Sequence, residues 1–204
     1  MTQTATPVSD LSSFLGTQPG VERIYDNVQT MLPGVSVPGI KMALWNTIEE
    51  FAQRTLVLRR DFDWTMGPGT VEITFNPIDA DTLTCAIVGV TGINNYRIDD
   101  PATLVDRGNT AVTRIGTVTV ATKPSGFEAN MPEVLFGKWF ETMLDGTLYR
   151  LYGQPAKPWS STGLGAYHAR RYRSGLVQAR AAGLNRFGEQ NTWRFPPFAS
   201  GRRR

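Results

Sequence analysis

The feature that most constrains the fold is a change in hydrophobic spacing along the chain. Residues 37–55 and 132–152 place apolar side chains three or four positions apart, which is typical of one face of an α-helix. The first stretch contains Ile40, Leu44, Ile48 and Phe51, and the second contains Phe136, Phe140, Leu144 and Leu148. Between them the chain is rich in β-forming residues and in Gly-Pro turns. These patterns predict a mainly helical α+β protein with a β insertion.

The same patterns divide the chain into an N-terminal arm, a body and a C-terminal tail. We expect an extended arm over 1–20, a body over 21–185 and an extended tail over 186–204. Within the body, a bundle of three to four helices is predicted over about 21–32, 37–55, 132–152 and 161–184, with a small antiparallel β unit over about 56–125. Ser36 is the expected N-cap of the second helix.

Inside the β unit, "GPGT" at 67–70 predicts a hairpin between the strands on either side. The continuous apolar run "LTCAIVGVT" at 83–91 predicts a buried strand. Gly116 interrupts the alternation of the last strand and indicates a β-bulge there.

The composition excludes several classes of protein. One cysteine, Cys85, rules out an internal disulfide and a multi-cysteine zinc site. No apolar run approaches the roughly 18–20 residues of a membrane span, and the N-terminus lacks a secretory pattern, so we expect an intracellular product without a membrane partner.

The net charge of +3 hides a strong asymmetry. Residues 157–204 contain ten basic residues and one acid, a charge of +9, whereas 1–156 has 11 basic and 17 acidic residues, a charge of −6. This asymmetry favours an acidic partner for the C-terminal region, either nucleic acid or an acidic protein surface that includes another copy of 1–156.

Residues with catalytic potential give little support for an enzyme, a metal or a cofactor. His168 lies on the packed face of the last helix, where a hydrogen-bonded structural role is expected. Cys85 lies within an apolar strand without a basic neighbour in the sequence. Asp61 and Asp63 alternate onto one strand face, and Glu49-Glu50 are expected to form a solvated helix face.

The tail, "RFGEQNTWRFPPFASGRRR", combines aromatic residues, two adjacent prolines and three terminal arginines. Pro196-Pro197 favour an extended path, and Trp193, Phe195 and Phe198 would each gain about 1.5–3 kcal/mol on burial. We expect these aromatic rings either to anchor in a neighbouring molecule or to fold back over their own domain.

Two longer stretches, "VPGIKMALWNTIEEFAQRTLVLRRDF" and "FGKWFETMLDGTLYRLYGQPAKPWSSTGLGAYHARRYRSGLVQARA", resemble head-to-tail adaptor (head-completion, or connector) proteins of tailed bacteriophages, of the short-tailed, podovirus-like type. The closing "TWRFPPFASGRRR" resembles the portal-reaching extension of the same family. The resemblance covers about 36–65 and 131–204. It implies a virion protein that forms a ring, usually of twelve copies, between the portal protein and the tail nozzle or tube, with DNA passing through its channel.

The resemblance also implies roles for particular residues. Portal binding would use Trp193, Arg194, Phe195, Pro196, Pro197, Phe198, Arg202, Arg203 and Arg204. Contacts between subunits would use Arg170, Arg173, Arg180, Asp61 and Asp63. A basic last helix pairing with the acidic body of a neighbour would close the ring head to tail.

Three alternatives remain open on the sequence alone. A nucleic-acid-binding module would use the same arginines for phosphates and the same aromatic rings for bases. A neighbouring tail component, such as a nozzle or a tube terminator, is a second alternative. An enzyme, the third, would need a pocket with paired titratable groups.

Overall fold

The computed structural model describes residues 19–75, 81–108, 111–126 and 131–185. Within these ranges the protein has five helices and six strands, the strands forming two three-stranded antiparallel sheets, so the fold is of the α+β class. The helices are α1 (Pro19–Met31), α2 (Val37–Thr55), α3 (Glu133–Phe136), α4 (Phe140–Tyr152) and α5 (Thr162–Asn185). The strands are β1 (Arg59–Met66), β2 (Glu72–Thr74), β3 (Thr82–Val90), β4 (Tyr96–Asp100), β5 (Thr103–Asp106) and β6 (Arg114–Pro124).

Local signals set the beginnings of the first two helices. The Ser36 hydroxyl accepts a hydrogen bond from the Gly39 N–H at 3.3 Å, which makes Ser36 the N-cap of α2. α1 begins at Pro19, inside the range expected for the arm, because proline is favoured in the first turn of a helix. Gly20 then packs so closely on Phe136 that an added methyl group would overlap that side chain.

The helix predicted over 132–152 is wrong as a single element. It is divided into α3 and α4 by a turn at 137–139, where glycine at position 137 weakens the helix. In this turn the Trp139 N–H donates to the Val134 carbonyl at 3.4 Å. The turn buries the indole, whose ring centroid lies 5.8 Å from that of Phe51, so tertiary packing outweighs helical continuity.

The helices enclose the larger of two apolar clusters. Its interior is formed mainly by one face each of α1, α2 and α4, together with the inner face of α5. The fully buried side chains from these elements and from α3 include Ile24, Ile40, Leu44, Ile48, Phe51, Leu135, Met143, Leu148, Leu151 and Tyr172.

The strands pair in the orders β1-β6-β3 and β2-β5-β4, so the hairpin predicted around 67–70 is wrong. The turn itself exists, with Thr70 donating to the Gly67 carbonyl at 3.1 Å. However, β1 pairs with β6 and β2 pairs with β5. The 11-residue β6 offers a longer partner than the three-residue β2, and the turn therefore carries the chain from one sheet to the other.

The strand predicted over 83–91 exists as β3, but the prediction that this strand is buried is wrong. β3 is an edge strand, and residues 84–90 are half-buried. Two register shifts against β6, between Thr84 and Ala86 and between Ile87 and Gly89, bend this edge. The bulges therefore lie in β3 and not at Gly116, which pairs in register with Trp64. Gly116 is needed for close packing, since an added methyl group would overlap the Thr91 carbonyl.

The two sheets enclose a second, smaller apolar cluster, and short polar links connect it to the helices. That cluster contains Trp64, Met66, Phe75, Ile93, Leu104, Val118 and Val120. Lys123 on β6 bonds Glu49 on α2 at 2.6 Å, and the Thr122 N–H donates to the Leu58 carbonyl at 2.8 Å. The strand β6 thus fixes the sheets against α2.

Candidate inter-subunit surface

The inner face of α5 is held by unusually close helix packing. An added methyl group on Gly175 would overlap Thr142 of α4, and one on Gly146 of α4 would overlap Thr47 and the ring of Tyr172. Small residues at these crossings let the helix backbones approach each other. The Tyr172 hydroxyl also donates to the Thr47 carbonyl at 3.1 Å, which ties α5 to α2.

A buried carboxylate fixes the rotation of α5 about its axis. Asp145 on α4 is 5% exposed, and its two oxygens lie 2.7 Å from His168 Nδ1 and 2.8 Å from Arg171 Nε. The His168 ring stacks on Tyr152 at 5.5 Å between centroids. A hydrogen bond with Tyr167, together with the charge of Asp145, raises the pKa of Arg171. His168 is thus a hydrogen-bonded structural residue, as its position in the sequence predicts.

The outer face of α5 presents Arg170, Arg173 and Arg180, which we call the arginine face. All three side chains are exposed, and none forms an ion pair with another described residue. At 100° per residue they lie within an arc of about 80°, over about 15 Å of helix. Val177, which is 69% exposed, lies within the same arc. Among the described residues, this face takes no part in the apolar packing of the subunit.

Most acids of the body, in contrast, have partners inside the subunit. Glu49 and Glu50 were expected to form a solvated face, and this is wrong: Glu49 bonds Lys123, and Glu50 bonds Arg150 at 2.5 Å and Arg54 at 3.0 Å. Sequence spacing indicates the pair Glu50–Arg54, which are four residues apart on α2, but not the pairs with Lys123 and Arg150, which are far away in the chain. The acidic charge available to a partner is therefore smaller than the sequence count suggests.

Asp61 and Asp63 lie on one face of β1, as alternation predicts, and both are exposed. Each accepts a hydrogen bond from a threonine on β6: Asp61 from Thr119 at 2.6 Å, and Asp63 from Thr117 at 3.1 Å. These bonds stabilise the sheet. The two residues lie on β1, outside the α5 face that carries the arginines.

Four acids in the described part of the chain form no hydrogen bond or ion pair through their side chains: Glu22, Asp26, Glu72 and Glu133. Glu22 and Asp26 are exposed on α1, one helical turn apart, and Glu133 is exposed in the first turn of α3. Glu22 and Asp26 lie about 40° apart around α1 and share one side of it, whereas Gly20, which packs on Phe136 of α3, lies about 160° around the helix from Glu22. We call Glu22 and Asp26 the acidic surface. Sequence reasoning missed it because the 17 acids of 1–156 look alike until internal pairs are removed.

A cleft of about 450 Å³ lies where the helices meet the sheets. Its ionisable lining residues are the cations Arg59, Arg60 and Lys138, while the rest of the lining is apolar or neutral polar. Among the described residues, no carboxylate lines this cleft. Its remaining lining residues are Val57, Leu58, Thr82, Thr122, Pro132, Val134, Trp139, Ala182 and Gly183.

The remaining chemically reactive residue, Cys85, is half-buried on β3. Burial raises the pKa of its thiol, although Lys123, a basic neighbour across the strand pair, opposes this in part. Over the ranges that the structure describes, no group of three or more metal-ligating side chains occurs. None of the helices in those ranges is long and apolar enough to cross a bilayer.

The predicted portal-binding residues, from Trp193 to Arg204, and most of the predicted arm lie outside the described residues. Comparison of the sequence with protein-family models and with curated proteins gave no match. The function must therefore be argued from the two charged surfaces and the helical framework that carries them.

Proposed function

We propose that this chain is a structural virion protein, a head-to-tail adaptor of a short-tailed bacteriophage. Copies of it form a ring, of twelve in the family that it resembles, which joins the portal protein to the tail nozzle or tube and extends the DNA channel. DNA passes through without sequence-specific binding. The protein has no catalytic role and needs no cofactor, and it acts at the head-to-tail interface of the virion.

The observation that carries this proposal is the arginine face of α5. Arg170, Arg173 and Arg180 are exposed without a partner among the described residues, on a helix whose other face is tightly packed. A rigid helix with fixed, bidentate cations on one side is suited to a permanent protein contact. The helices α2, α3, α4 and α5 fall within the stretches whose sequence resembles the adaptor family, and α1 lies before them.

The proposal includes a finer architecture. α1, α2, α4 and α5 form the helical bundle that stacks around the ring, and the β unit lies beside it. Residues 186–204 form an extended tail that orders on the portal, with Trp193, Phe195 and Phe198 as anchors and Arg202, Arg203 and Arg204 against portal carboxylates. Asp61 and Asp63 face the next subunit or the nozzle.

Capture by the cognate portal ring tests the proposal. We expect the intact chain to bind an immobilised portal ring, and a Trp193→Ala, Phe195→Ala, Phe198→Ala variant to bind at least about a hundredfold more weakly, since three buried aromatic rings are lost. The matched control replaces three polar residues of the same tail: Gln190→Ala, Asn191→Ala, Thr192→Ala. Equal capture of both variants, or no capture of the intact chain, would contradict the proposal.

A second candidate, a nucleic-acid-binding module, is favoured by the same exposed arginines. It predicts duplex DNA binding whose affinity falls steeply with salt, by about one power of the salt concentration for each phosphate contact. The adaptor proposal predicts weak DNA binding that the aromatic substitutions leave unchanged. Fluorescence anisotropy with a labelled duplex at several salt concentrations separates the two.

A further inference from the structure

We propose that the arginine face of one copy binds the acidic surface of the next, so that α5 of each subunit packs against α1 of its neighbour. This inference rests on the proposed ring, and it identifies the two surfaces that would close it. The sequence already indicated the arginine face, whereas the acidic surface emerges only after the internal ion pairs are subtracted.

The first argument is the set of charged side chains that have no partner among the described residues of their own subunit. Among the described basic residues, four arginines make no side-chain hydrogen bond, ion pair or ring contact: Arg107, Arg170, Arg173 and Arg180. The four corresponding acids are Glu22, Asp26, Glu72 and Glu133. Three cations therefore lie together on α5 and two anions lie one turn apart on α1, with Glu133 on α3 and one residue of each sign, Arg107 and Glu72, on the β unit.

The second argument is that these two surfaces are complementary in form. Glu22 and Asp26 are one turn apart along a 13-residue helix, and the arginine face extends over about 15 Å of another helix. Val177, exposed at 69% among the arginines, provides an apolar contact at the centre of a helix-on-helix interface. Long arginine side chains reach around such a contact and form bidentate pairs with carboxylates.

The third argument is that each subunit carries the two surfaces on different helices. Used toward two different neighbours, they form a heterologous contact that repeats from copy to copy until the ring closes. Two copies related by a two-fold axis would satisfy both surfaces as well, so the mass of the assembly separates a ring from a dimer. Surface pairs of this kind set the partner and register more than the raw affinity.

A charge-exchange experiment on the intact chain tests this contact. The first variant is Arg170→Glu with Arg173→Glu, and the second is Glu22→Arg with Asp26→Arg. Like charges then meet in each variant alone, so we expect self-association to weaken at least about tenfold in both. Mixed in equal amounts, the two variants restore opposite charges at every contact and assemble as alternating copies. Sedimentation velocity, with and without the portal ring as template, measures the assemblies.

Two controls on the β unit carry the same kind of charge reversal, at one residue instead of two: Arg107→Glu and Glu72→Arg. We expect both to associate as the unchanged chain does. Circular dichroism of each variant confirms that it is folded, and mixing remains decisive because a misfolded variant cannot be rescued by its counterpart.

Several results would overturn the contact. The first is that the unchanged chain does not self-associate, with or without the portal ring. The second is that the charge-reversed variants self-associate as the unchanged chain does, and the third is that mixing the two variants does not restore association. Loss of duplex DNA binding in Arg170→Glu, Arg173→Glu with intact self-association would assign the arginine face to DNA instead. Recovery in the mixture without capture by the portal would support the contact and contradict the adaptor proposal, so the two failures are distinguishable.

Discussion

The two faces of α5 differ in what holds them. The inner face packs so tightly that methyl groups on Gly175 or Gly146 would overlap neighbouring side chains, and Asp145 fixes its polar residues. The outer face carries Arg170 and Arg173 with no partner among the described residues. One side of a single helix thus serves folding and leaves the other free for binding, so substitutions on the two faces should have separable effects.

The largest effect is expected from Tyr172→Ala on the inner face. Tyr172 is 2% exposed, and its removal opens a cavity and leaves the Thr47 carbonyl without its hydroxyl donor. We expect the free energy of unfolding to fall by about 3–5 kcal/mol in urea denaturation. The control on the outer face is Val177→Ala, which should change it by less than about 0.5 kcal/mol. Similar losses for both variants would contradict the separation of the faces.

A glycine pair within α5 sharpens the comparison. Gly175→Ala gains helix propensity but forces Thr142 aside, and we expect a net loss of about 1–3 kcal/mol in the free energy of unfolding. Gly163→Ala in the same helix meets no atom within 4 Å, so the propensity gain of up to about 1 kcal/mol remains. Thermal denaturation should therefore shift in opposite directions, and a gain for Gly175→Ala would refute close packing at that crossing.

High pH should lower the free energy of unfolding through two buried tyrosines, Tyr172 on the inner face of α5 and Tyr25 on α1. Burial raises the pKa of Tyr172 above its usual value, and it raises that of Tyr25 to about 12. Well below pH 10 both tyrosines are protonated in the folded and in the unfolded chain, so they add no pH dependence to the free energy of unfolding there. Above pH 10 the unfolded chain loses these protons first, and the free energy of unfolding falls by up to about 1.4 kcal/mol per pH unit for each fully shielded tyrosine.

Urea denaturation at pH 9 and pH 11 measures this loss, and Tyr172→Phe should lose less between the two pH values than the unchanged chain. Tyr25→Phe gives a second comparison, with a smaller expected difference because Tyr25 is only partly buried. An equal loss in all three proteins would contradict a tyrosine origin.

The smallest effect on folding is expected from the arginine face itself. Arg170→Gln and Arg173→Gln should each change the free energy of unfolding of the monomer by less than about 0.5 kcal/mol, because neither arginine has a partner among the described residues. Their neighbour Arg171 binds Asp145 at 2.8 Å, so Arg171→Gln should cost at least about 1 kcal/mol. Urea denaturation of dilute protein compares the three variants. Equal losses in the free energy of unfolding would contradict a difference between Arg171 and the arginines of the outer face.

The sequence predicted the elements better than their pairings. Helical spacing and the Ser36 cap act between residues a few positions apart, so they indicate α2 over 37–55, the range that the structure has. The hairpin around 67–70 failed because a turn does not determine which strand its neighbours pair with. The helix over 132–152 failed at Gly137–Trp139, where burial of Trp139 against Phe51 outweighs local propensity.

The candidate site shows the same limit. The sequence separated Arg170, Arg173 and Arg180 from the packed positions of α5, because helical periodicity assigns faces without any knowledge of the neighbours. It did not find the acidic surface, since the availability of Glu22 or Asp26 depends on which other acids already have partners. Cys85 and β3 were expected to be buried because an apolar run does not reveal whether a strand lies at the edge of a sheet.

The sequence by itself determined the α+β class, the helical faces and the concentration of positive charge in the last quarter of the chain. These properties follow from local spacing and from counting, which are the same in the folded and the extended chain. Only the tertiary structure decided that Glu49, Glu50 and Asp145 are engaged within the subunit, while Glu22, Asp26 and Glu133 have no side-chain partner among the described residues. Ion pairs depend on distance in space, and that distance is set by how the helices and sheets pack.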